Sequence, residues 1–293
     1  MTDLTIAIGS TYSLPGDVAG NLAQIAELAQ RAAAQGADVL LTPEMSASGY
    51  GGYPEVLATA ESAGDGPVYR ELARIARENG LVVLAGFVEL DGEHRYLAHY
   101  SVWPDGRFVV QRKHRVTPLE SPLEPSVELY FDDTEEIGHV PAGASRFEVL
   151  DIGGAKAAIV ICADLGVRGL DDILEEHGVN LLLLPTAAGG TRQGAVTEDD
   201  LADPARLTEY VTRSAQHAYP ADAVRSSVQR RRAFAAVNMT GFDGKKLYHG
   251  GSGSIVDPSG SVEAIIPGSP VLERQRPKLA VGTVHIPDGG ADA

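Results

Sequence analysis

Three side chains with complementary chemistry each follow a predicted β-strand in this sequence. Cys162, the single cysteine among 293 residues, ends a continuous apolar run. Glu44 and Lys113 stand at the ends of two further strand-like runs. A thiol becomes a strong nucleophile when a base removes its proton, and a carboxylate can serve as that base. An ammonium group favours the ionised acid and stabilises a developing oxyanion. The three types together predict nucleophilic attack on a carbonyl-like carbon.

Each of the three residues also has an ordinary structural explanation. A free cysteine is among the most frequently buried residue types and is usually inert there. Glu44 would serve equally as a solvent-facing loop acid, and Lys113 as a surface lysine. Histidine is the more usual base for a cysteine nucleophile, but none of the eight histidines stands at a strand end beside an Asn or Asp. A Cys–His hydrolase therefore has no support in the sequence, and a carboxylate is the expected base.

The strands that must carry these residues are short, apolar and bounded by Gly and Pro. In open α/β folds, functional groups collect outside the carboxyl ends of such strands. Apolar runs predict strands at residues 4–8, 37–42, 81–90, 108–112, 147–150, 156–161, 180–184, 233–238 and 279–286. Amphipathic spacing predicts helices at residues 21–35 (capped by Asn21), 67–79, 170–177 and around 204–217. Turn residues predict three successive antiparallel strands within 81–112 and hairpins within 242–266.

A weak internal repeat indicates how these elements are arranged. Residues 35–43 run from a helix end through a glycine and an apolar strand to a proline, and residues 177–185 repeat that order. Shared turn chemistry would produce the same likeness as a duplication, and the sequence does not separate the two. In either case we expect one sheet-based domain over residues 1–293, with two related halves and helices on one side of each. The many hairpin signals argue against a purely parallel doubly wound sheet.

Two long polar segments interrupt the pattern. Residues 113–146 are irregular and contain prolines, and a loop of that length is usually functional. Residues 187–229 form a polar insertion in which one or two helices are expected. No linker separates either segment from the strands, so neither is interpreted as a second domain.

The charge balance and cysteine content exclude several functions. With 24 basic and 40 acidic side chains the formal net charge is −16, whereas nucleic-acid binding needs a basic footprint. No run approaches the roughly 18 apolar residues of a membrane span, and the first residues lack the basic and apolar regions of a secretory signal. One cysteine excludes an internal disulfide, which fits a reducing cytoplasm. We therefore expect a cytoplasmic protein without nucleic-acid or membrane partners.

The order and setting of the three reactive residues resemble those of the nitrilase superfamily of carbon–nitrogen hydrolases. The likeness extends over about residues 4–286, and the common order of its motifs is more specific than any one of them. The segments that carry it are residues 41–50 (LTPEMSASGY), 112–114 (RKH), 160–164 (VICAD), 184–187 (LPTA), 235–238 (AAVN) and 250–260 (GGSGSIVDPSG). The resemblance implies an α/β (α+β) fold class, a four-layer αββα sandwich of two mixed sheets covered by helices. It also implies a homo-oligomer, usually a dimer.

The resemblance further implies roles for individual residues. Glu44 matches the base, Lys113 the oxyanion-stabilising lysine and Cys162 the nucleophile of a Glu–Lys–Cys triad. Many members carry a second glutamate after the lysine. Glu120 is the candidate here, one residue short of the commonest spacing, and Glu124 is a rival. The implied reaction is hydrolysis of an amide, carbamoyl or nitrile group of a small molecule through a thioester, with no metal or organic cofactor.

Five residues are expected to line the substrate pocket: Tyr50, Ala163, Asp164, Arg168 and Ala187. The Ala163 amide would be a second oxyanion donor, and Asp164 either caps the turn after the strand or faces the substrate. This chain also departs from the superfamily pattern, because Arg168-Gly169 stands where members have a Pro–Glu pair and residues 225–229 replace an Arg-Ala-x-Glu-Asn segment. These departures leave the substrate open. The alternatives are a nitrilase, an N-acyltransferase that passes the acyl group to an amine, and a catalytically silent scaffold.

Overall fold

Two six-stranded mixed sheets form the centre of the molecule. The computed structural model describes residues 2–126, 147–167, 169–189, 197–206, 208–209, 224–225, 228–268 and 276–287. The first sheet contains β1 (Thr2–Ser10), β2 (Val39–Leu41), β3 (Val82–Asp91), β4 (His94–Val102), β5 (Phe108–Arg112) and β14 (Lys278–Ile286). The second contains β6 (Leu150–Ile152), β7 (Ala155–Ile159), β8 (Leu181–Thr186), β9 (Ala233–Asn238), β12 (Gly253–Val256) and β13 (Val262–Ile266). The remaining elements are the hairpin β10 (Thr240–Phe242) and β11 (Tyr248–Gly250), and the helices α1 (Val18–Ala33), α2 (Pro54–Leu57), α3 (Pro67–Asn79), α4 (Leu170–Glu176) and α5 (Glu198–Ala202).

The predicted strands are all present, with one of them displaced. The sequence placed β6 at residues 147–150, three residues too early. Phe147 instead packs into the apolar cluster around α4, and the backbone N–H of Glu148 donates to the side chain of Gln111 at 2.9 Å. Phe147 thus belongs to a core contact and not to a ladder. The antiparallel strands expected within 81–112 and the hairpins expected within 242–266 are confirmed.

The two sheets repeat one arrangement. Each holds three parallel strands in chain order, β1–β2–β3 in the first sheet and β7–β8–β9 in the second. One antiparallel strand pairs with the first of the three, β14 or β6, and two antiparallel strands follow the third, β4–β5 or β12–β13. The central strands β2 and β8 are those of the repeated segments 35–43 and 177–185. The expectation of two related halves is therefore confirmed in the topology, and in each half the carboxyl ends of the parallel strands lie at one edge of the sheet.

Apolar side chains fill three layers of core. The largest cluster lies between the sheets and takes side chains from both, including Ile6, Leu84, Ile159 and Leu183. A second cluster packs α1 and α3 against the outer face of the first sheet, and a third packs α4 against the second sheet. Because side chains alternate across a strand, Ile6 points to the shared core while its neighbour Ala7 points to the helices. The four-layer αββα sandwich is confirmed.

The two long polar segments fall largely outside the described residues. Of residues 113–146 the structure describes 113–126, whose Glu124 backbone N–H donates to Arg95 on β4 at 2.8 Å. Within residues 187–229, α5 begins with a capping box formed by Thr197 and Asp200. The helix expected around 204–217 lies mostly outside the described residues. Of the helices that are described, none is long and apolar enough to cross a membrane.

The first helix begins earlier than the sequence indicated. Asp17, and not Asn21, caps α1, because the Asp17 carboxylate accepts the backbone N–H of Gly20 at 3.0 Å. Asn21 lies inside the helix and is fully buried. Its amide donates to the carbonyls of Leu14 and Ala47 and accepts the N–H of Leu14, at 2.9 to 3.1 Å. Since Asp and Asn have the same preference for the cap, the pattern placed the start one turn late.

We expect Asn21→Ala to lower the free energy of unfolding by about 2–3 kcal/mol, because it removes the side-chain partner of the Leu14 N–H and of the Ala47 carbonyl. Urea denaturation followed by circular dichroism measures the change. Gln30→Ala, on the exposed face of the same helix, is the matched control and should change stability by less than about 0.5 kcal/mol. Equal losses in the two variants would show that the Asn21 amide stabilises nothing beyond the helix.

Candidate active site

The three reactive side chains predicted from separate strand ends meet in one buried cluster. Glu44 lies three residues past β2, Lys113 directly follows β5 and Cys162 lies three residues past β7. The Nζ of Lys113 is 2.6 Å from Oε1 of Glu44, and both side chains are fully buried. The Cys162 side chain lies beside the Glu44 carboxylate and opposes the rise of its pKa on burial. The first sheet thus provides an acid and an ammonium group, and the second provides the thiol.

A second carboxylate completes the surroundings of the ammonium group. Oε1 of Glu120 lies 2.5 Å from Nζ of Lys113 and accepts the Tyr50 hydroxyl at 2.8 Å, while Oε2 accepts the backbone N–H of Thr117 at 2.8 Å. Glu124, the rival from the sequence, is 44% exposed and pairs with a surface histidine. The structure therefore places Glu120, and not Glu124, beside the lysine. Lys113 occupies the position between two carboxylates, and within the described ranges no group of three or more His, Cys, Asp or Glu side chains is placed to hold a metal ion.

Burial and charge together set the protonation states of the cluster. Burial lowers the pKa of Lys113, but the adjacent Glu44 and Glu120 carboxylates outweigh burial and hold that pKa well above its usual value. Burial raises the pKa of Glu44 to about 7, against the opposing effect of Lys113. Burial also raises the pKa of the Cys162 thiol well above its usual value, and Glu44 adds to this rise while Lys113 opposes it. At neutral pH the cluster therefore holds a protonated lysine, a neutral thiol and a Glu44 carboxyl group between its two states.

The turn that carries Glu44 leaves the sheet, but its side chains still accept hydrogen bonds from the neighbouring strand β3. Beyond β2 the hydroxyls of Ser46 and Ser48 accept two N–H groups of β3, each at 3.1 Å. Gly86 on β3 permits the crossing, because a Cβ at this position would lie 2.1 Å from the backbone nitrogen of Met45. Sequence reasoning missed Gly86. The available signal was a glycine inside a strand, which marks the close approach of another backbone.

Cys162 stands on a tight turn at the start of a short 3₁₀-helix, Cys162–Gly166. Its φ of 49° lies in the left-handed region, which costs a non-glycine residue about 1–2 kcal/mol. Strained backbone of this kind is maintained only where the surrounding structure fixes it, and it occurs preferentially at functional sites. Ala163, expected to provide an oxyanion donor, is the next residue of this helix and is half-buried.

A backbone amide from a fourth strand end completes the cluster. The N–H of Ala187, which follows β8, donates to Oε2 of Glu44 at 3.0 Å and opposes the rise of the Cys162 pKa. The fully buried Asn238, at the end of β9, holds this turn by donating to the carbonyl of Ala188 at 2.9 Å. The sequence placed Ala187 at the pocket but gave no role to Asn238. An amide that ends an otherwise apolar strand was the signal for it.

Asp164 lies behind the nucleophile and is turned towards the backbone. It is fully buried, and its carboxylate accepts the N–H of His114 at 3.0 Å and that of Arg115 at 2.7 Å. These contacts direct both oxygens to the backbone that follows Lys113, which favours a structural role, and the assignment of Asp164 to the substrate pocket stays a prediction. Arg168, the other charged residue expected at the pocket rim, lies outside the described residues.

The charge arrangement predicts a large loss of stability for one substitution in the cluster and a small change for another. Lys113→Met leaves the Glu44 and Glu120 carboxylates facing each other in a buried site, and we expect it to reduce the free energy of unfolding by about 3–5 kcal/mol at pH 8. Glu44→Gln keeps the Lys113–Glu120 pair intact and should change stability by no more than about 1 kcal/mol. Urea denaturation of both variants measures the difference.

The pH dependence provides the internal control for this comparison. Without Lys113 the pKa of Glu44 in the folded protein lies further above its unfolded value, so the folded state binds more protons and stability rises as the pH falls. The deficit of Lys113→Met should therefore shrink between pH 8 and pH 6. A deficit that is equal in both variants and independent of pH would contradict the charge arrangement described here.

Comparisons with known proteins agree with this fold. The sequence model of the carbon–nitrogen hydrolase family matches residues 5–268. A hydrolase from Pseudomonas protegens is 31% identical over 186 residues, which are 63% of this chain and 59% of that protein. An omega-amidase from Xenopus laevis is 28% identical over 170 residues, 57% of this chain and 58% of that protein. The chain thus spans about three fifths of the length of these curated relatives.

A solved structure leads to the same fold. An amidase variant from Nesterenkonia sp. AN1, in complex with butyramide, superposes with a TM-score of 0.68 and covers 96% of this chain and 91% of that chain at 21% identity. Since the family model covers most of the sequence and the sandwich is shared, the chain belongs to the carbon–nitrogen hydrolase family of the nitrilase superfamily.

Proposed function

We propose that the protein is an amidase-type carbon–nitrogen hydrolase with Cys162 as the nucleophile, Glu44 as the base and Lys113 as the oxyanion-stabilising cation. The observation that carries this proposal is the position of Nζ of Lys113, 2.6 Å from Glu44, with both side chains fully buried and the half-buried Cys162 beside them. Moving an ammonium group and two carboxylates out of water costs free energy. In return the protein has a fixed positive charge where an oxyanion would form. Family membership supports the same class of reaction.

In the first half of the reaction the cysteine is acylated. Glu44 accepts the thiol proton while the sulfur of Cys162 attacks the amide carbon, and the carbonyl electrons move to oxygen. The Lys113 ammonium and the Ala163 N–H stabilise this oxyanion. When the carbon–nitrogen bond breaks, Glu44 returns the proton to the leaving amine or ammonia, and a thioester remains on the sulfur.

Hydrolysis of the thioester uses the same groups. Glu44 accepts a proton from water while the water oxygen attacks the thioester carbon. The carbon–sulfur bond then breaks, the proton returns to sulfur and a carboxylic acid leaves. A base that must accept and return a proton in each half works best with a pKa near the operating pH, and the Glu44 pKa of about 7 meets that requirement.

Glu120 acts on Lys113 and not on the substrate, since its carboxylate already accepts the ammonium group, the Tyr50 hydroxyl and a backbone N–H. Its charge matters at the moment when Glu44 becomes neutral. Lys113 then keeps a counter-ion within the protein, so that proton transfer to Glu44 does not leave a buried ammonium unpaired.

The substrate that we favour is a small-molecule amide. The structural neighbour from Nesterenkonia sp. AN1 is an amidase variant with butyramide bound, and the Xenopus laevis relative is an omega-amidase. A carbamoyl group differs at the acyl side only and would use the same steps. Hydrolysis of a nitrile would also begin with attack by the thiol. In an acyltransferase, an amine in place of water would attack the thioester in the second half of the reaction.

A substrate panel tests the proposal and separates these reactions. Purified protein is incubated with primary amides, N-carbamoyl amines and nitriles, and with amides plus an amine acceptor, and ammonia release and product masses are followed. We expect ammonia from amides, a transient mass increase of the protein equal to the acyl group, and a fall of at least about 10³-fold in Cys162→Ala. Retention of turnover by a folded Cys162→Ala protein would overturn the assignment of the nucleophile.

The Glu44 pKa predicts the acid limb of the pH profile. Only the ionised carboxyl group can accept the thiol proton, so kcat/KM should fall about tenfold for each pH unit below about pH 7. Glu44→Gln should remove this activity, whereas Glu124→Gln, at the exposed rival position, should retain it. A profile that stays flat from pH 8 to pH 5 would exclude Glu44 as the base.

A further inference from the structure

Asp164 connects the two elements that bring the thiol and the ammonium group together. It is the third residue of the short helix that begins at Cys162. Its carboxylate accepts the backbone N–H of His114 with both oxygens, at 3.1 and 3.0 Å, and the N–H of Arg115 at 2.7 Å. These two residues directly follow Lys113. The Asp164 carboxylate therefore connects the turn that begins at Cys162 to the backbone that directly follows Lys113.

Such a link is needed because the two groups belong to different sheets. Lys113 is fixed to the first sheet, since its N–H donates to the carbonyl of Leu97 on β4 at 2.8 Å. Cys162 follows β7 of the second sheet. The sheets meet through an apolar core, and apolar contacts are non-directional. Core packing alone therefore holds the sheets together without fixing the separation of two polar atoms at their edge.

Other polar links between the sheets lie near the site but hold different partners. The N–H of Ala187 donates to Glu44, and the hydroxyl of Ser10 donates to the carbonyl of Asn238 at 2.6 Å. Both contacts position the Glu44 side of the cluster or the turn after β8. The contacts of Asp164 are directed instead at the segment that carries Lys113.

The surroundings of Asp164 make its position rigid. Its side chain is fully buried, and its own N–H and carbonyl take part in the turn through Ile161 and Val167. On the other side, the ring of His114 stacks on Phe147 with the ring centres 4.3 Å apart. The carboxylate thus has no room to follow a displaced lysine segment, and a charged acceptor bonded to two backbone amides is a strong and directional contact.

We propose that Asp164 is a positioning residue for the reaction, which sets the distance between the Lys113 ammonium and the Cys162 sulfur by tying the segment 114–115 to the turn of the nucleophile. This inference rests on the proposed function, because it assigns to Asp164 a role in that same reaction. The hydrogen bonds of the Asp164 carboxylate go to the backbone of His114 and Arg115 and not to the side chains of the cluster. Its loss should displace the cation from the oxyanion and from the thiol.

The test compares two substitutions of Asp164 with a matched control. Asp164→Asn replaces one acceptor oxygen with an amino group that faces backbone N–H donors. Asp164→Glu keeps the charge and both acceptors but lengthens the link by one methylene group. The control is Asp257→Asn, because the carboxylate of Asp257 is also buried and also links the sheets, accepting the N–H of His285 on β14 at 2.8 Å.

Asp257 lies at the other end of the sandwich. It follows Val256, which pairs with Phe234 at the start of β9, whereas the catalytic edge lies at the end of β9, where Asn238 pairs with Thr186. A variant at this position is therefore expected to weaken the junction of the sheets without moving the cluster.

Four quantities are measured for each protein: kcat and KM on an amide, the rate of alkylation of Cys162 by iodoacetamide at pH 7.5, and stability in urea. We expect kcat to fall about 100-fold in both Asp164 variants, because a displacement of about 1 Å costs that much, with KM changed less than about twofold. Alkylation should slow about tenfold, since a thiol that loses a nearby cation has a higher pKa. Asp257→Asn should lose stability while kcat and alkylation stay at the wild-type values.

The outcomes are distinguishable from a failure of the proposed function. If kcat and alkylation in both Asp164 variants match Asp257→Asn, Asp164 is only a structural residue and the inference is overturned. If Asp164→Asn does not fold, Asp164→Glu decides, because it retains every acceptor. If the wild-type protein hydrolyses no amide, the proposed function fails, but slower alkylation in the Asp164 variants still supports their positioning role.

Discussion

The buried ammonium group of Lys113 is the constraint on which the rest of the structure depends. An unpaired charge in such a place would cost several kcal/mol, and Lys113 is stable there because carboxylates lie 2.6 and 2.5 Å from its Nζ. Each carboxylate in turn needs further donors. Glu44 receives one from the Ala187 amide, and Glu120 receives two from Tyr50 and Thr117. The polar cluster is therefore satisfied in full only when strand ends from both sheets are in place.

The repeated topology explains why the strand ends arrive together. In each half three parallel strands direct their carboxyl ends to one edge, and stacking the halves through a shared apolar core brings the two edges together. Neither half has a complete set of groups, because the first lacks the thiol and the second lacks the acid and the ammonium group. The chemistry proposed here is thus a property of the packing between the sheets. Hydrogen bonds between the sheets, such as those of Ala187 and Asp164, are directional, so they set the relative positions of the polar groups in a way that apolar contacts cannot.

Local sequence patterns identified the strands and the three reactive residues, since an apolar run marks a buried strand and the polar side chain after it marks the end of that strand. The same patterns could not identify groups whose role depends on a distant backbone. Gly86 is required by the crossing of Met45, which is 41 positions away in the sequence. Asp164 was ambiguous for the same reason, because its donors follow β5 and its own position follows β7. Ala187 acts through its amide, which no side-chain pattern reports, and Asn21 resembled a helix cap because its buried partners are in other loops.

The environment that prepares Glu44 for catalysis also acts against folding. Its pKa rises from 4.5 to about 7 on burial, so between these values the folded protein holds a proton that the unfolded chain has released. The contribution of Glu44 to stability is therefore fully present below about pH 4.5 and is lost as the pH rises to about 7, a change on the order of 3 kcal/mol. A carboxylate with a normal pKa would avoid this loss, but it would be a weaker base for a thiol whose own pKa is raised by the same burial. The large apolar core between the sheets offsets this loss, so the extent of that core and the strength of the base are linked through the same exclusion of water.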